Sequence, residues 1–256
     1  MPNHVTNRVT VTGPSPAIAA FRRAFFVETV ETDKDGGEDR VADFDFTRVI
    51  PRPKVLEETK SSSAVITGLI VLGRPEILKD GFGGGSLEQE VARYLACPWV
   101  QEAGVTDSEG LKSLLTERDP SCVAKAEVAI RAYEECGHAS WYSWALCNWG
   151  TKWNSYSLDF IEEGAEVFDF RFDTAWSPPE PVFAALAERP ECADLEIEIR
   201  RFDEGWNFAY RARIADGCFS SEDVEPTPEI YEEVYGETCL DVADEDADDT
   251  TGPAMI

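Results

Sequence analysis

Four segments of the chain alternate apolar and polar residues with a period of two, and this pattern restricts the fold more than any other feature. In Val167–Asp173, Phe168, Phe170 and Phe172 fall on one side, with Asp169 and Arg171 on the other. Successive side chains of a strand point to opposite faces, so three phenylalanines in this register must bury one face. Val5 to Thr12 repeats the pattern, with Val5, Asn7, Val9 and Val11 on one side. So do Leu195–Arg200 (Leu195, Ile197 and Ile199 inward) and Phe208–Ile214 (Phe208, Tyr210, Ala212 and Ile214 on one side, Ala209, Arg211 and Arg213 on the other). Four half-buried strands predict a sheet with one covered face.

Helices are expected to cover it. Gly13-Pro14 ends the first strand, and Ser15-Pro16 has the form of an N-cap followed by proline in the first turn. Ile18, Phe21 and Phe25 then recur at helical spacing. Ser177-Pro178-Pro179-Glu180 repeats the signal, with Glu180 as a capping-box partner, Trp176 as a hydrophobic staple and Val182, Phe183 and Leu186 as the buried stripe. Two strand–Ser-Pro–helix–strand units predict an α+β fold of ferredoxin-like β-α-β type. The first unit is expected to close with a strand starting at Phe44-Asp45-Phe46, after a charged loop from Thr32 to Arg40.

The middle has a different character. Leu87–Cys97, Leu111–Leu115 and Cys122–Cys136 read as helices, the last ending at Gly137, and Ser140 opens another that holds Trp141 and Trp144. The expected organisation is an N-terminal β-α-β part (1–54), a mostly helical insertion (55–150), a C-terminal ferredoxin-like part (151–221) and an acidic, partly disordered tail (222–256). Gly81–Gly85 contains no Gly-Lys-Ser or Gly-Lys-Thr and follows no clear strand, so it reads as a turn or hinge, not a phosphate cradle.

The formal net charge is −27. From Glu222 onward there are thirteen Asp or Glu and no Lys or Arg, which leaves the rest of the chain at −14. Such a field repels phosphates and attracts basic surfaces. No apolar run is long enough to span a membrane, and the Met1-Pro2-Asn3-His4 start lacks a signal-peptide pattern. The seven cysteines are scattered and never form a CxxC pair, as expected of reduced thiols in a cytoplasm. Cys136, His138 and Cys147 lack a fourth metal ligand. His4 and His138 are the only histidines, and no nucleophile–base arrangement accompanies them. No catalytic residue, metal or cofactor is nominated.

Candidate contacts come from two places. In Trp149-Gly150-Thr151-Lys152-Trp153, two tryptophans and a lysine have the chemistry to grip a partner. The same residues also suit a tight connection with both indoles packed on the sheet, and the habit of aromatics to bury their area favours this. Asp45, Asp169, Asp173 and Glu196 stand among Arg171, Arg200, Arg211 and Arg213, which reads as cross-strand ion pairing and not as a metal cluster. The residues nominated for partner contact are Trp149, Lys152, Trp153, Asp169, Glu196, Glu198, Glu222 and Asp223. Local basic patches are sought at Arg22 and Arg23 with Lys152, and at Arg200 and Arg201 with Arg211 and Arg213.

Three stretches carry a resemblance: Pro2–Asn7, Asn148–Asn154 and Phe170–Pro179. They resemble the YubB-like family of plasmid- and phage-encoded proteins with a ferredoxin-like C-terminal domain, over about residues 2–51 and 146–217. The resemblance implies origin on a mobile element and brings no catalytic residue. Combined with the charge, it leads to the expectation of a protein-binding inhibitor. The expected partner is a basic nucleic-acid-binding protein of a host defence complex, such as a CRISPR effector or restriction enzyme, engaged by acidic mimicry of nucleic acid. The alternative is a nucleic-acid-associated binding module in plasmid or phage DNA establishment. A carboxylate-based nuclease lacks diagnostic spacing.

Overall fold

The computed structural model describes residues 3–32, 38–80 and 86–239. The chain divides into two units, Met1–Pro51 with Asn148–Ile256, and Arg52–Cys147. The first unit begins with β1 (His4–Thr12), α1 (Ser15–Phe25), a ribbon of β2 (Phe26–Thr32) and β3 (Glu38–Phe44), and the short α2 (Phe46–Val49). After the second unit it continues with β4 (Tyr156–Glu163), β5 (Val167–Ala175), α9 (Glu180–Ala187), β6 (Glu196–Asp203), β7 (Ala209–Ala215), β8 (Cys218–Val224) and α10 (Pro228–Tyr235).

Six of these strands form one sheet in the order β4-β5-β1-β6-β7-β8, and all its pairings are antiparallel. β1 lies between β5 and β6. The units β1-α1-β4 and β5-α9-β6 are therefore interleaved, which is the split β-α-β arrangement, with β7 and β8 added along one edge. The molecule is a mixed α+β protein.

Two strand readings need correction. Phe44 ends β3, a strand of the separate ribbon, and does not start the closing strand of the first unit. Asp45 turns the chain: its carboxylate accepts from Thr47 N at 2.9 Å and caps α2. β4 closes the unit instead, more than a hundred residues later. Part of the supposed Thr32–Arg40 loop is strand as well, since β3 begins at Glu38. β8 was missed because Phe219 and Val224 are its only large apolar residues, as suits an exposed edge.

The core sits under one face of the sheet. Phe168, Phe170 and Phe172 are fully buried there, beside Val9, Val11, Ile197 and Ile199. Rings from other elements complete it: Phe21 of α1 lies 6.5 Å from Phe170, Phe44 lies 5.6 Å from Phe170, and Phe183 of α9 lies 6.4 Å from Phe172.

The second unit holds α3 (Ser63–Val71), α4 (Leu87–Leu95), α5 (Pro98–Glu102), α6 (Ser108–Arg118), α7 (Cys122–Cys136) and most of α8 (Trp141–Asn148). α3 approaches α7 through Gly68, where a Cβ would come within 2.0 Å of the Cys122 carbonyl oxygen. Val65, Leu69, Ala126 and Ala129 pack around that crossing. α7 ends as expected at Gly137, whose φ of 78° is left-handed. Gly81–Gly85 lies outside the described residues. Among the described residues, no helix is long and apolar enough to cross a membrane.

Candidate functional site

The sheet face opposite the core carries arginines in register. Asp159 pairs with Arg171, Arg171 with Arg8, Arg8 with Arg200, Arg200 with Arg211, and Arg211 with Glu222. One row thus crosses all six strands, with four arginines inside and a carboxylate at each end. Strands lie about 4.8 Å apart, and like charges directly opposite one another repel.

Acidic neighbours balance the row. Arg8 grips Asp169 with Nε at 3.2 Å from both oxygens and Nη2 at 2.8 Å. Arg171 pairs with Asp159 at 3.1 Å, and Arg200 with Glu198 at 2.7 Å. Glu233 of α10 reaches Arg211 at 2.6 Å and Arg200 at 3.4 Å. The end of the same helix presents backbone carbonyls: Arg8 Nη1 donates to Glu233 O at 2.9 Å, and Arg171 Nη1 to Tyr235 O at 2.6 Å. A helix C-terminus carries partial negative charge, so α10 is oriented to stabilise this row. Ile230, Tyr231 and Val234 seat it against Phe202 and Ala209.

A groove of about 900 Å³ remains beside α10, lined by Arg8, Arg200, Arg211 and Arg213 and by Asp169, Glu198, Glu222 and Glu233. Four cations face four carboxylates, so its charge is balanced. Of the nominated residues, Asp169, Glu198 and Glu222 line this groove, and Glu196 stands nearby, paired with Arg213 at 3.1 Å. Arg201 is not part of the patch proposed from sequence. It points to the core face, fully buried, where Nη1 donates to Glu180 at 2.8 Å and Nη2 to Ser221 at 2.6 Å. Desolvation pushes its pKa down, against the opposing pull of Glu180. Glu180 therefore serves Arg201 and not a capping box, while Ser177 Oγ donates to Gly150 O at 2.6 Å. Arg22 and Lys152 are not brought together either: Arg22 pairs with Glu163 at the end of β4, and Lys152 precedes the start of β4.

The second concentration of nominated residues is the Trp149–Trp153 segment, and the structure splits it. Trp149 is 2% exposed, stands edge-on to Phe46, and donates from Nε1 to Ile50 O at 3.1 Å. Thr151 is buried and donates to Ala175 O at 2.8 Å. Gly150 has a φ of 78°, and a Cβ there would meet Pro181 Cδ at 2.7 Å. Asn154 Nδ2 donates to Asp45 and Ser155 Oγ to Phe44 O, which binds the segment to the ribbon. Lys152 and Trp153 face outward. Lys152 Nζ lies 4.4 Å from the Trp153 ring centre and 4.6 Å from that of Trp176.

Trp176 is thus not a buried staple: it is 40% exposed, with a φ of 73°. Behind it, Tyr156 Oη lies 2.7 Å from His4 Nδ1. Burial, followed by Asp173 and Glu204, pushes the Tyr156 phenol up to about 12. Trp206, which the sequence did not single out, lies after β6 and stacks on Tyr231 with centroids 5.6 Å apart. Its exposure and positive φ have no local sequence signature. The last nominated pair, Glu222 and Asp223, belongs to β8 and not to a loose tail. The Asp-rich stretch from residue 240 lies outside the described residues.

No protein-family model matches the chain, and no curated protein matches it. Among solved structures it is similar to the protein api92 from Yersinia pseudotuberculosis, of the DUF1281 family. The TM-score is 0.41 at 13% identity, covering 88% of this chain and 98% of that one. A likeness at that level carries no functional argument.

Proposed function

We propose that the chain acts by binding a basic, nucleic-acid-binding protein through carboxylates held on folded elements. What carries the reading is the stretch from Ile214 to Cys239, which contains eight Asp or Glu and no Lys or Arg. Most of these carboxylates stand on or beside β8 and α10, so their spacing is fixed, and Glu222, Asp223, Glu225, Glu229 and Glu232 are exposed. β4 at the opposite edge adds exposed Asp159, Glu162 and Glu163. Arrayed carboxylates attract surfaces built to hold phosphates. The sequence resemblance to a mobile-element family favours a host defence complex, such as a CRISPR effector or restriction enzyme, as the partner.

The experiment is co-purification with such effectors, followed by competition against DNA. Glu222→Gln, Glu225→Gln and Glu232→Gln combined should weaken binding about tenfold or more and flatten its salt dependence. Acids that served only for solubility and edge protection would leave partner binding unchanged. Cutting the chain after Cys239 should preserve binding. Cutting it after Glu222 removes α10 and uncovers Phe202, so that deletion would report on folding and not on the tail.

A second reading, nucleic acid on the sheet face, draws on the arginine row. It predicts that short single-stranded DNA shifts the protein at low salt and that Arg200→Ala abolishes the shift.

A further inference from the structure

Trp176 and Trp206 both hold left-handed backbone just beyond the ends of β5 and β6. A left-handed conformation is strained for a residue with a side chain, because its Cβ crowds the following carbonyl oxygen. Gly73, Gly104, Gly137, Gly150, Gly217 and Gly236 adopt it freely. Among the described residues, four others also have positive φ: Ser157 and Asp216, which are small, and Trp176 and Trp206, at 73° and 58°. These two hold a strained backbone while their indoles stay 40% and 37% exposed. Trp206 rests on Phe202 and Tyr231 and Trp176 against Lys152, so each keeps part of its ring in solvent, and strained backbone at such partly exposed residues clusters at binding sites.

The strand ends bring them to one rim. Trp176 follows β5 directly, and its N–H donates to Asn3 O at 2.9 Å. Trp206 follows β6, and its N–H donates to Asp203 O at 2.9 Å. Glu204 N donates to His4 O at 3.0 Å, so both strand ends flank the start of β1. Trp153, 39% exposed, adds a third indole just before β4. Between Trp153 and Trp176 the protein places a cation of its own, Lys152.

We propose that this rim anchors an arginine-bearing loop of the basic partner, whose guanidinium takes the place of Lys152 between Trp153 and Trp176. The proposal rests on the basic-partner reading above. The slot already accommodates a cation, so its size and electrostatics suit one. A planar, weakly hydrated guanidinium stacks on indole better than an ammonium does, so exchange is favourable. Trp and Arg are the residues that most often carry an interface, which fits a slot at the edge of an acidic body. The net charge of −27 favours a cationic loop over a nucleobase arriving with its phosphate.

The test is a tryptophan-fluorescence titration with octa-arginine, octa-lysine and oligothymidylate. Octa-arginine should bind about tenfold more tightly than octa-lysine despite equal charge. Trp176→Gly should weaken octa-arginine binding about tenfold while the urea midpoint stays level or rises, because glycine relieves the backbone. Trp153→Ala should weaken binding similarly without touching a strained residue, and Lys152→Ala should strengthen it by opening the slot. If Trp176→Gly and Trp153→Ala bind octa-arginine like the parent, the rim is not the anchor. Preference for oligothymidylate would overturn the assignment to a basic loop. If the Glu→Gln combination weakens octa-arginine but the tryptophan variants do not, the acidic-surface reading stands and this inference falls. If the parent binds neither cationic peptide, both fall.

Discussion

The two faces of the sheet are made by the same strands and stabilised by opposite means. On one, Phe168, Phe170 and Phe172 meet Phe21, Phe44 and Phe183 with no exposure at all. On the other, Arg171, Arg8, Arg200 and Arg211 stand in a row that holds only because Asp159, Asp169, Glu198 and the end of α10 offset it. The apolar face is non-directional: volume has to be filled, and several rings share the task. The arginine face is directional and depends on particular partners, each of which leaves a charge uncompensated if removed. Exposed ion pairs contribute little, so this face adds less stability and more specificity of placement.

Three changes probe that contrast, in falling order of effect. Phe170→Ala removes the ring that touches Phe21, Phe26, Phe44, Phe168 and Phe172, and should cost about 3–5 kcal/mol in urea denaturation. A loss under about 1 kcal/mol would mean that the apolar face is far looser than its burial indicates. Arg8→Met leaves Asp169 without its bidentate partner in a nearly buried position, and should cost about 1–3 kcal/mol. Adding Asp169→Asn should recover part of that loss. Arg213→Ala, which breaks an exposed pair with Glu196, should stay within about 0.5 kcal/mol. Equal effects at Arg8 and Arg213 would erase the distinction between a largely covered ion pair and an exposed one.

The smallest effect concerns Asp173, beside Thr6 on the arginine face. Burial raises its pKa, although Thr6 Oγ1 donates to it at 2.7 Å and pulls the other way. A carboxyl raised in the fold favours the protonated form, so its contribution is fully present below the ordinary Asp range and is lost as pH rises through the folded value. Asp173→Asn should therefore unfold at a slightly higher temperature than the parent at neutral pH, with the gain shrinking as pH falls into that range. A gain that grows on acidification would reverse the sign of this account.

Much of the apolar face was readable from sequence, and little of the polar one. A period of two at Phe168–Phe172 and at Ile197–Ile199 already says which residues go inward, because alternation is a local property of a strand. Arg8 was visible on the polar side of β1, but nothing local indicates that it faces Arg171 and Arg200. Arg201 looks like a continuation of Arg200 in sequence, yet it crosses to the core face and finds Glu180. For the Trp149–Trp153 segment the favoured reading packed both indoles on the sheet, whereas Trp149 is buried and Trp153 is not.

The α+β class, most inward faces of the strands, the end of α7 at Gly137 and the size of the negative charge were legible in the residues alone. Each of these follows from composition or from spacing within a few residues. That β4, and not the segment at Phe44, completes the first β-α-β unit emerges only with the assembled sheet. The assembled fold also settled that four arginines align, that Cys218–Val224 is an edge strand, and that Trp176 and Trp206 share a rim, whereas a short helix near Ile230 to Tyr235 was already expected from the residues. Those outcomes depend on register between strands far apart in the chain, and register is set by how the buried faces and their covering helices pack together.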